Sequence, residues 1–262
     1  LQFRRLLLGH RSTMVLPRLG GGPALVSDGR RILLLHGVSV GEIRAMRSLV
    51  GLLQKEKPTI RLVIASATPT GMGEATRLFP ELDRTYFPLD LGFACRKFLE
   101  KVAPSGVVLM ELEIWPNFLR ACERRGIPVA IVNGRITERS MRGYRRVQRI
   151  LPQFDRIAFY GAQNERYAER FRSLPVPVDG VEVTGNLKYD NLGLDSEQAS
   201  DPLSPLLLRG DKVIVLGSTH EPEEMAILSR AFEDPRLDEA IWVVVPRHPH
   251  RGEALAEELA AL

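Results

Sequence analysis

Two glutamates, Glu111 and Glu113, follow directly on a short apolar run, Gly106 to Met110, in the stretch GVVLMELEIWPN. The run has no helical period and reads as a strand buried on both faces of a parallel sheet. In an open α/β sheet, ligands sit outside the carboxyl ends of the strands, so a carboxylate placed there is aimed at a substrate. The alternative is that both residues open the next helix and favour its positive end; this stretch alone does not separate the two. Glu42 poses the same choice. It ends a glycine-punctuated loop, His36-Gly37-Val38-Ser39-Val40-Gly41-Glu42, in which Ser39 and Glu42 fit the capping box S-x-x-E. A carboxylate near a helix N-terminus also stays ionised, as a base that takes a hydroxyl proton must, yet a single lone pair cannot serve both roles. Lys188, in GNLKYD, is a compact cation suited to a phosphate or carboxylate, or a surface lysine paired with Asp190. Ser218 and Thr219 follow Gly217 and could cradle phosphate oxygens, or cap the next helix as S-x-x-E with Glu221. His248 and His250 flank Pro249 without a third ligand, which argues against a metal centre.

The elements that must hold these residues alternate along the chain. The pattern predicts strands at Ile32 to His36, Arg61 to Ser66, Arg84 to Phe87, Gly106 to Met110, Pro128 to Val132, Arg156 to Tyr160 and Val181 to Thr184. Amphipathic helices are predicted between most of them, at Glu42 to Lys55, Gly73 to Phe79, Phe93 to Val102, Asn117 to Arg125 and Asn164 to Leu174. Strands alternating with helices imply an α/β fold with a parallel, doubly wound sheet. A stretch rich in Asp, Ser and Pro then reads as a linker, after which strands at Lys212 to Leu216 and Ile241 to Val245 alternate with two more helices. The expected division is a basic N-terminal segment (1–30), a Rossmann-like domain (31–192), a linker (193–210) and a second, incomplete α/β domain (211–262). Nearly every predicted strand ends in polar residues, among them Ser39, Gly41, Thr70, Arg135, Ser218, Thr219, Pro246 and Arg247, and such a rim describes a binding crevice.

The totals narrow the class. With 262 residues, 44% hydrophobic and 26% charged, the chain can bury a sizeable core and is neither disordered nor fibrous. No apolar run approaches the roughly 18 residues that span a bilayer, and the opening LQFRRLLLGHRS is too broken for a signal peptide, so a cytosolic setting is expected. Cys95 and Cys122 imply neither a disulfide framework nor a metal knuckle. A formal charge of +4, with Arg135, Arg139, Arg142, Arg145, Arg146 and Arg149 in one run, favours anionic partners. Such a run is usually one solvated helix face. Lipid headgroups fit it as well as nucleic acid, and no nucleic-acid motif accompanies it.

Taken together, HGVSVGE, SATPTGMGEA, MELEIWPN, VNGRITERSMRGY, AQNERYAERF, VTGNLKYD, GSTHEPEE and VPRHPHR, in this order, resemble the 3-deoxy-D-manno-octulosonic acid (Kdo) transferases, which add Kdo to lipid A precursors. The likeness runs from about Ile32 to the last residue. It implies a GT-B glycosyltransferase of two Rossmann-like domains, the first holding the acceptor and the second the CMP-Kdo donor. Carried over position by position, Glu42 matches the general base, Glu111 and Lys188 match groups that stabilise the transition state, and Pro246 and Arg247 match part of the CMP site. The implied reaction is inverting transfer to a glucosamine hydroxyl, with no metal and no further cofactor. The implied partners are CMP-Kdo, a lipid A precursor and the inner leaflet of the inner membrane, with no nucleic acid. The implied location is the cytoplasmic side of that membrane, peripheral or anchored by a segment not present in this sequence. Members of the family begin with a hydrophobic anchor and continue with further nucleotide-binding motifs, so the chain is expected to carry the acceptor half and the opening of the donor half. The competing expectations are another GT-B enzyme that uses a UDP-sugar, and a non-catalytic module that binds anions or a membrane surface.

Overall fold

The computed structural model describes residues 16–21, 24–147, 153–191 and 212–260. The chain divides into two compact units, Leu1–Glu197 and Gln198–Leu262. The first is built on a parallel sheet of seven strands, β1 (Arg31–His36), β2 (Ile60–Ser66), β3 (Asp83–Tyr86), β4 (Gly106–Met110), β5 (Val129–Gly134), β6 (Phe159–Ala162) and β7 (Val181–Val183). Their order is β3-β2-β1-β4-β5-β6-β7, so the winding reverses between β1 and β4. That reversal is the topological switch point, where two adjacent crossovers leave the sheet in opposite directions and open a crevice.

Residues alternate between the two faces of the strands, and both faces are covered. Leu34, Val63, Val107 and Leu109 point into one core, against Phe98, Leu99, Phe118, Leu119 and Phe171 from α4 (Gly92–Val102), α5 (Pro116–Glu123) and α7 (Glu165–Arg172). Leu35, Leu62, Ile64, Val108 and Met110 point into the other. There they meet Ile43, Met46, Val50 and Ala75, from α1 (Val40–Ala45), the joint after it, α2 (Arg47–Glu56) and α3 (Pro69–Leu78). A strand buried on both sides has no polar face to alternate with, which is why Gly106–Met110 reads as a continuous apolar run.

Several predicted boundaries move, each for a local reason. The helix expected from Glu42 to Lys55 is two helices, because the fully buried Met46 takes φ −81° and ψ −1° and re-aims the chain. The strand expected from Arg156 starts at Phe159; Phe154–Arg156 is a 3₁₀ turn, with Phe154 buried and Arg156 paired to Glu123 at 2.8 Å. β5 runs on through Asn133 and Gly134, with irregular pairing to β6. A four-residue helix that the sequence pattern did not flag, α8 (Leu187–Asp190), follows β7. In the N-terminal stretch, Arg18 is not a solvated charge: it is 3% exposed and its Nε donates to Phe87 O at 3.0 Å. The arginine run forms α6 (Glu138–Val147), with Arg139, Arg142, Arg145 and Arg146 exposed while Met141 and Tyr144 pack onto the core. Arg4, Arg5, Arg11, Arg149 and the linker expected at 193–210 lie outside the described residues.

The second unit pairs two parallel strands, β8 (Lys212–Thr219) and β9 (Ala240–Pro246), with α9 (Glu223–Ala231) and α10 (Gly252–Leu259). Among its described residues, Leu228, Ala231 and Leu255 are the buried apolar ones.

Candidate active site

The loop after β1 is folded around Glu42. Ser39 caps α1 by accepting from Glu42 N at 3.2 Å, and its hydroxyl donates to Glu42 Oε1 at 2.8 Å. Glu42 Oε2 accepts from Val38 N at 2.8 Å, so the capping box is present with its return bond one residue earlier than the motif implies. Burial raises the Glu42 pKa above its ordinary value, the bonds from Val38 and Ser39 pull it back, and the nearby charge of Glu111 raises it again. A carboxylate offers about four acceptor sites, so each of these oxygens keeps one for an incoming hydroxyl.

The second loop is stitched to the first. Thr68 Oγ1 donates to Val38 O at 2.6 Å and caps α3 through Gly71 N at 3.1 Å. A Cβ at Gly71 would lie 2.3 Å from Ser66 Oγ and 2.8 Å from Val38 O, so only glycine lets the two loops meet. Thr70 is exposed in the first turn of α3, and Gly41 is exposed in α1.

Glu111 sits just past β4 with φ +58°, a left-handed conformation that a non-glycine residue adopts only when its surroundings hold it there. Its N–H is tied to Val132 O at 2.9 Å. The turned side chain meets two cations, with Oε2 accepting from Arg135 Nε at 2.9 Å and Oε1 lying 3.3 Å from Lys188 Nζ. Lys188 therefore pairs with Glu111, 77 positions away, and not with Asp190. The Glu111 side chain is 14% exposed against 47% for Lys188 and 55% for Arg135, so both cations keep an open side.

Glu113, which the apolar run left level with Glu111 and the family resemblance passed over, is a half-buried acid. Burial and then the charge of Glu42 push its pKa up to about 8, against an opposing pull from the Trp115 indole and with a lesser push from Glu111. At neutral pH it therefore keeps its proton, as a buried acid beside other carboxylates does. The signal was legible in E-x-E after an apolar run, but the burial that sets the direction of the shift, and the approach of Glu42 from α1, required the fold.

Other rim residues have structural work. Asp90 accepts from Asn117 N at 3.2 Å and Phe118 N at 2.8 Å, holding the start of α5. Asn164 caps α7 by accepting from Tyr167 N at 3.0 Å. His36 is fully buried, stacked 3.7 Å from Phe87, with Nδ1 on Ala65 O at 3.1 Å. Burial drives its pKa down to about 3, with Arg18 adding to the fall, so it stays neutral.

In the second unit Ser218 and Thr219 belong to β8 and Pro246 to β9; they do not lie in loops beyond the strands. Ser218 has φ +62° and is exposed, whereas Thr219 is buried. The expected Ser218 to Glu221 cap is not made: α9 has Pro222 at its cap without a side-chain bond, and Glu223 Oε2 accepts from His220 N at 2.8 Å. Arg247 N donates to Thr219 O at 2.9 Å and its side chain is exposed. Glu224, 1% exposed, is paired with Arg251 Nη1 at 3.0 Å. The His248 ring lies 5.9 Å from that of His220 and 5.7 Å from that of His250; no cluster placed to hold a metal ion occurs among the described residues.

A doubly wound parallel sheet whose switch-point loops gather carboxylates and cations, followed by a second unit of parallel strands, is the α/β architecture of the GT-B type. UDP-GlcNAc 2-epimerase from Neisseria meningitidis, solved with UDP-GlcNAc, shares it with a TM-score of 0.60 at 17% identity, over 88% of this chain and 70% of that one. A second UDP-N-acetylglucosamine 2-epimerase structure reaches 0.62 at 15% identity, over 89% and 66%. These likenesses concern the fold. The family model for 3-deoxy-D-manno-octulosonic-acid transferase (kdotransferase) matches residues 13–191. The 3-deoxy-D-manno-octulosonic acid transferase of Haemophilus influenzae is 31% identical over 87% of this chain and 54% of its own length. Those of Chlamydophila psittaci and Bordetella pertussis are 33% and 32% identical, over 84% and 87% of this chain. The chain belongs to the 3-deoxy-D-manno-octulosonic acid transferase family, and it spans about half the length of the curated relatives it matches.

Proposed function

We propose that this chain supplies the acceptor side of a glycosyltransferase that moves Kdo from CMP-Kdo to a lipid A precursor with inversion, in lipopolysaccharide synthesis. The observation that carries the reading is the Glu42 carboxylate. It is held at both oxygens by Ser39 and Val38, lifted above its ordinary pKa by burial, and set near the Glu111, Lys188 and Arg135 cluster.

In this reading Glu42 takes the proton from a glucosamine hydroxyl as that oxygen attacks the anomeric carbon of Kdo and the CMP phosphate leaves on the opposite side. A base whose pKa is raised above the ordinary carboxylate value is better matched to an alcohol proton. Glu111 holds Lys188 and Arg135 in place, and their open sides meet the negative charge of the sugar carboxylate. Glu113, protonated, adds no further repulsion to that charge and can donate a hydrogen bond. Ser39, Gly41 and Thr70 border the acceptor, whereas Ser218, Thr219, Pro246 and Arg247 serve the donor nucleotide. Arginine and backbone N–H groups suffice for a single phosphate, so no metal or further cofactor is invoked. The exposed arginines of α6 are matched to an anionic membrane surface, consistent with peripheral binding at the cytoplasmic face of the inner membrane. No helix among the described residues is long and apolar enough to cross a membrane.

The test is incubation of the full-length enzyme with CMP-Kdo and a tetra-acylated lipid A precursor, read by mass spectrometry. Appearance of a Kdo-bearing lipid supports the reading. A sugar-nucleotide turnover confined to UDP-sugars sinks it.

A further inference from the structure

Lys188 must stay over Glu111 for the proposed reaction, yet it sits on α8, a helix of four residues, far too short to be stable by itself. Asparagine side chains hold it from several sides. Asn186 caps it, accepting from Lys188 N at 3.1 Å. Asn133, 1% exposed and left-handed at φ +55°, accepts from Leu187 N at 3.1 Å. Asn191 closes the helix and uses its whole amide. Its Nδ2 lies 3.1 Å from Leu187 O, 3.1 Å from Arg44 O and 3.3 Å from Ala45 O, while its Oδ1 accepts from Ser48 N at 3.1 Å.

Arg44 and Ala45 end α1, the helix that opens around Glu42, and Ser48 lies in the first turn of α2. The break at Met46 leaves carbonyls at the end of one helix and an N–H at the start of the next short of full helical pairing, although Arg44 O also receives the Met46 N–H. Asn191 satisfies both, and joins them to α8. We propose that Asn191 is a positioning residue that locks the Lys188 helix to the Glu42 helix, so that the cation and the base keep one fixed separation across the site. The roles of Glu42 and Lys188 rest on the function proposed above; the lock itself does not. Asparagine suits the joint because it presents one acceptor and two donor hydrogens on a short stem. Aspartate would set a carboxylate against three carbonyl oxygens, and alanine would leave the joint open.

Two measurements on the full-length protein separate the lock from the function. In the first, lysines are acetylated under limiting reagent and quantified by mass spectrometry. Lys188 labelling is expected to rise several-fold in Asn191→Ala and in the isosteric Asn191→Asp, matching the rise expected for Glu111→Gln, with Lys55 unchanged. If Asn191→Ala does not fold, Asn191→Asp decides. In the second, Asn191→Ala lowers kcat on the order of 10- to 100-fold with KM little changed, since small misplacements act on the transition state. That loss disappears when Lys188 is already alanine. Unchanged Lys188 labelling in a cooperatively melting variant, or an equal loss of kcat in the Lys188→Ala background, overturns the proposal. Absence of any transfer by the wild type would overturn the function alone, because the labelling result stands without it.

Discussion

At Glu42 the observed capping bonds and the proposed catalytic role call on different lone pairs of one carboxylate. Ser39 and Val38 occupy one site on each oxygen, orient the group and restrain its pKa, while burial and Glu111 push that pKa upward. A base works when deprotonated, so the acid limb of the pH–rate profile is expected above the ordinary carboxylate value of 4.5. Ser39→Ala removes a hydrogen bond to the charged form, which raises the pKa further, so the acid limb should move to higher pH; a limb that stays put or moves down contradicts this. Glu113 gives a stability test with a defined sign. Its folded value of about 8 stands above the ordinary 4.5, so the native state keeps a proton that the unfolded chain releases. Stability from this group is therefore lost as pH rises from about 4.5 to about 8. Glu113→Gln, which carries no charge to bury, should match the wild type in thermal melting near pH 5 and exceed it by a few degrees at pH 8.5. Equal melting at both pH values would mean that Glu113 is better solvated than its surroundings indicate.

At the scale of elements, the site is a consequence of loop closure at the switch point. Val38 joins the first loop to Thr68 of the second, and that close approach depends on the missing side chain at Gly71. Gly71→Ala should cost about 1–3 kcal/mol, in the range of other overpacked sites, and lower activity by displacing Val38 and with it Glu42; chemical denaturation checks the first part. An unshifted midpoint would show that the loops part freely. Much of this was legible in the chain. Apolar runs gave β1, β2 and β4 within a residue or so, because strands buried on both faces have a composition that few other elements share. The break at Met46 was not legible, since Glu42 to Lys55 keeps helical periodicity across it and only the packing of Met46 decides the joint. Nor was α8, whose four residues show no period and which exists through Asn133 and Asn191. Motif likeness put Glu111 and Lys188 among the expected site residues, whereas their ion pair, that of Arg135 with Glu111 and the protonated state of Glu113 required the coordinates of several elements.

At the scale of the molecule, the first unit carries the cluster of carboxylates and cations, and the second carries exposed Ser218 and Arg247 at the carboxyl ends of its two strands. If that edge serves a cytidine nucleotide, saturating CMP should raise the melting temperature of the full-length enzyme; at 100 times Kd the gain is about 2.7 kcal/mol. UDP at the same concentration should do less, and a larger shift with UDP favours a UDP-sugar enzyme. The arginines of α6 predict salt-sensitive flotation with anionic vesicles, reduced when Arg142, Arg145 and Arg146 are changed to serine. Flotation unaffected by salt or by those changes removes α6 from the membrane contact.

The central claim is that Glu42 activates the acceptor hydroxyl. Kdo transfer from CMP-Kdo to a tetra-acylated lipid A precursor, followed by mass spectrometry for wild type and Glu42→Gln at equal folded concentration, tests it directly. A loss of about 10²- to 10⁴-fold in rate, with CMP still shifting the melting temperature, is the predicted result; transfer by Glu42→Gln at the wild-type rate contradicts it.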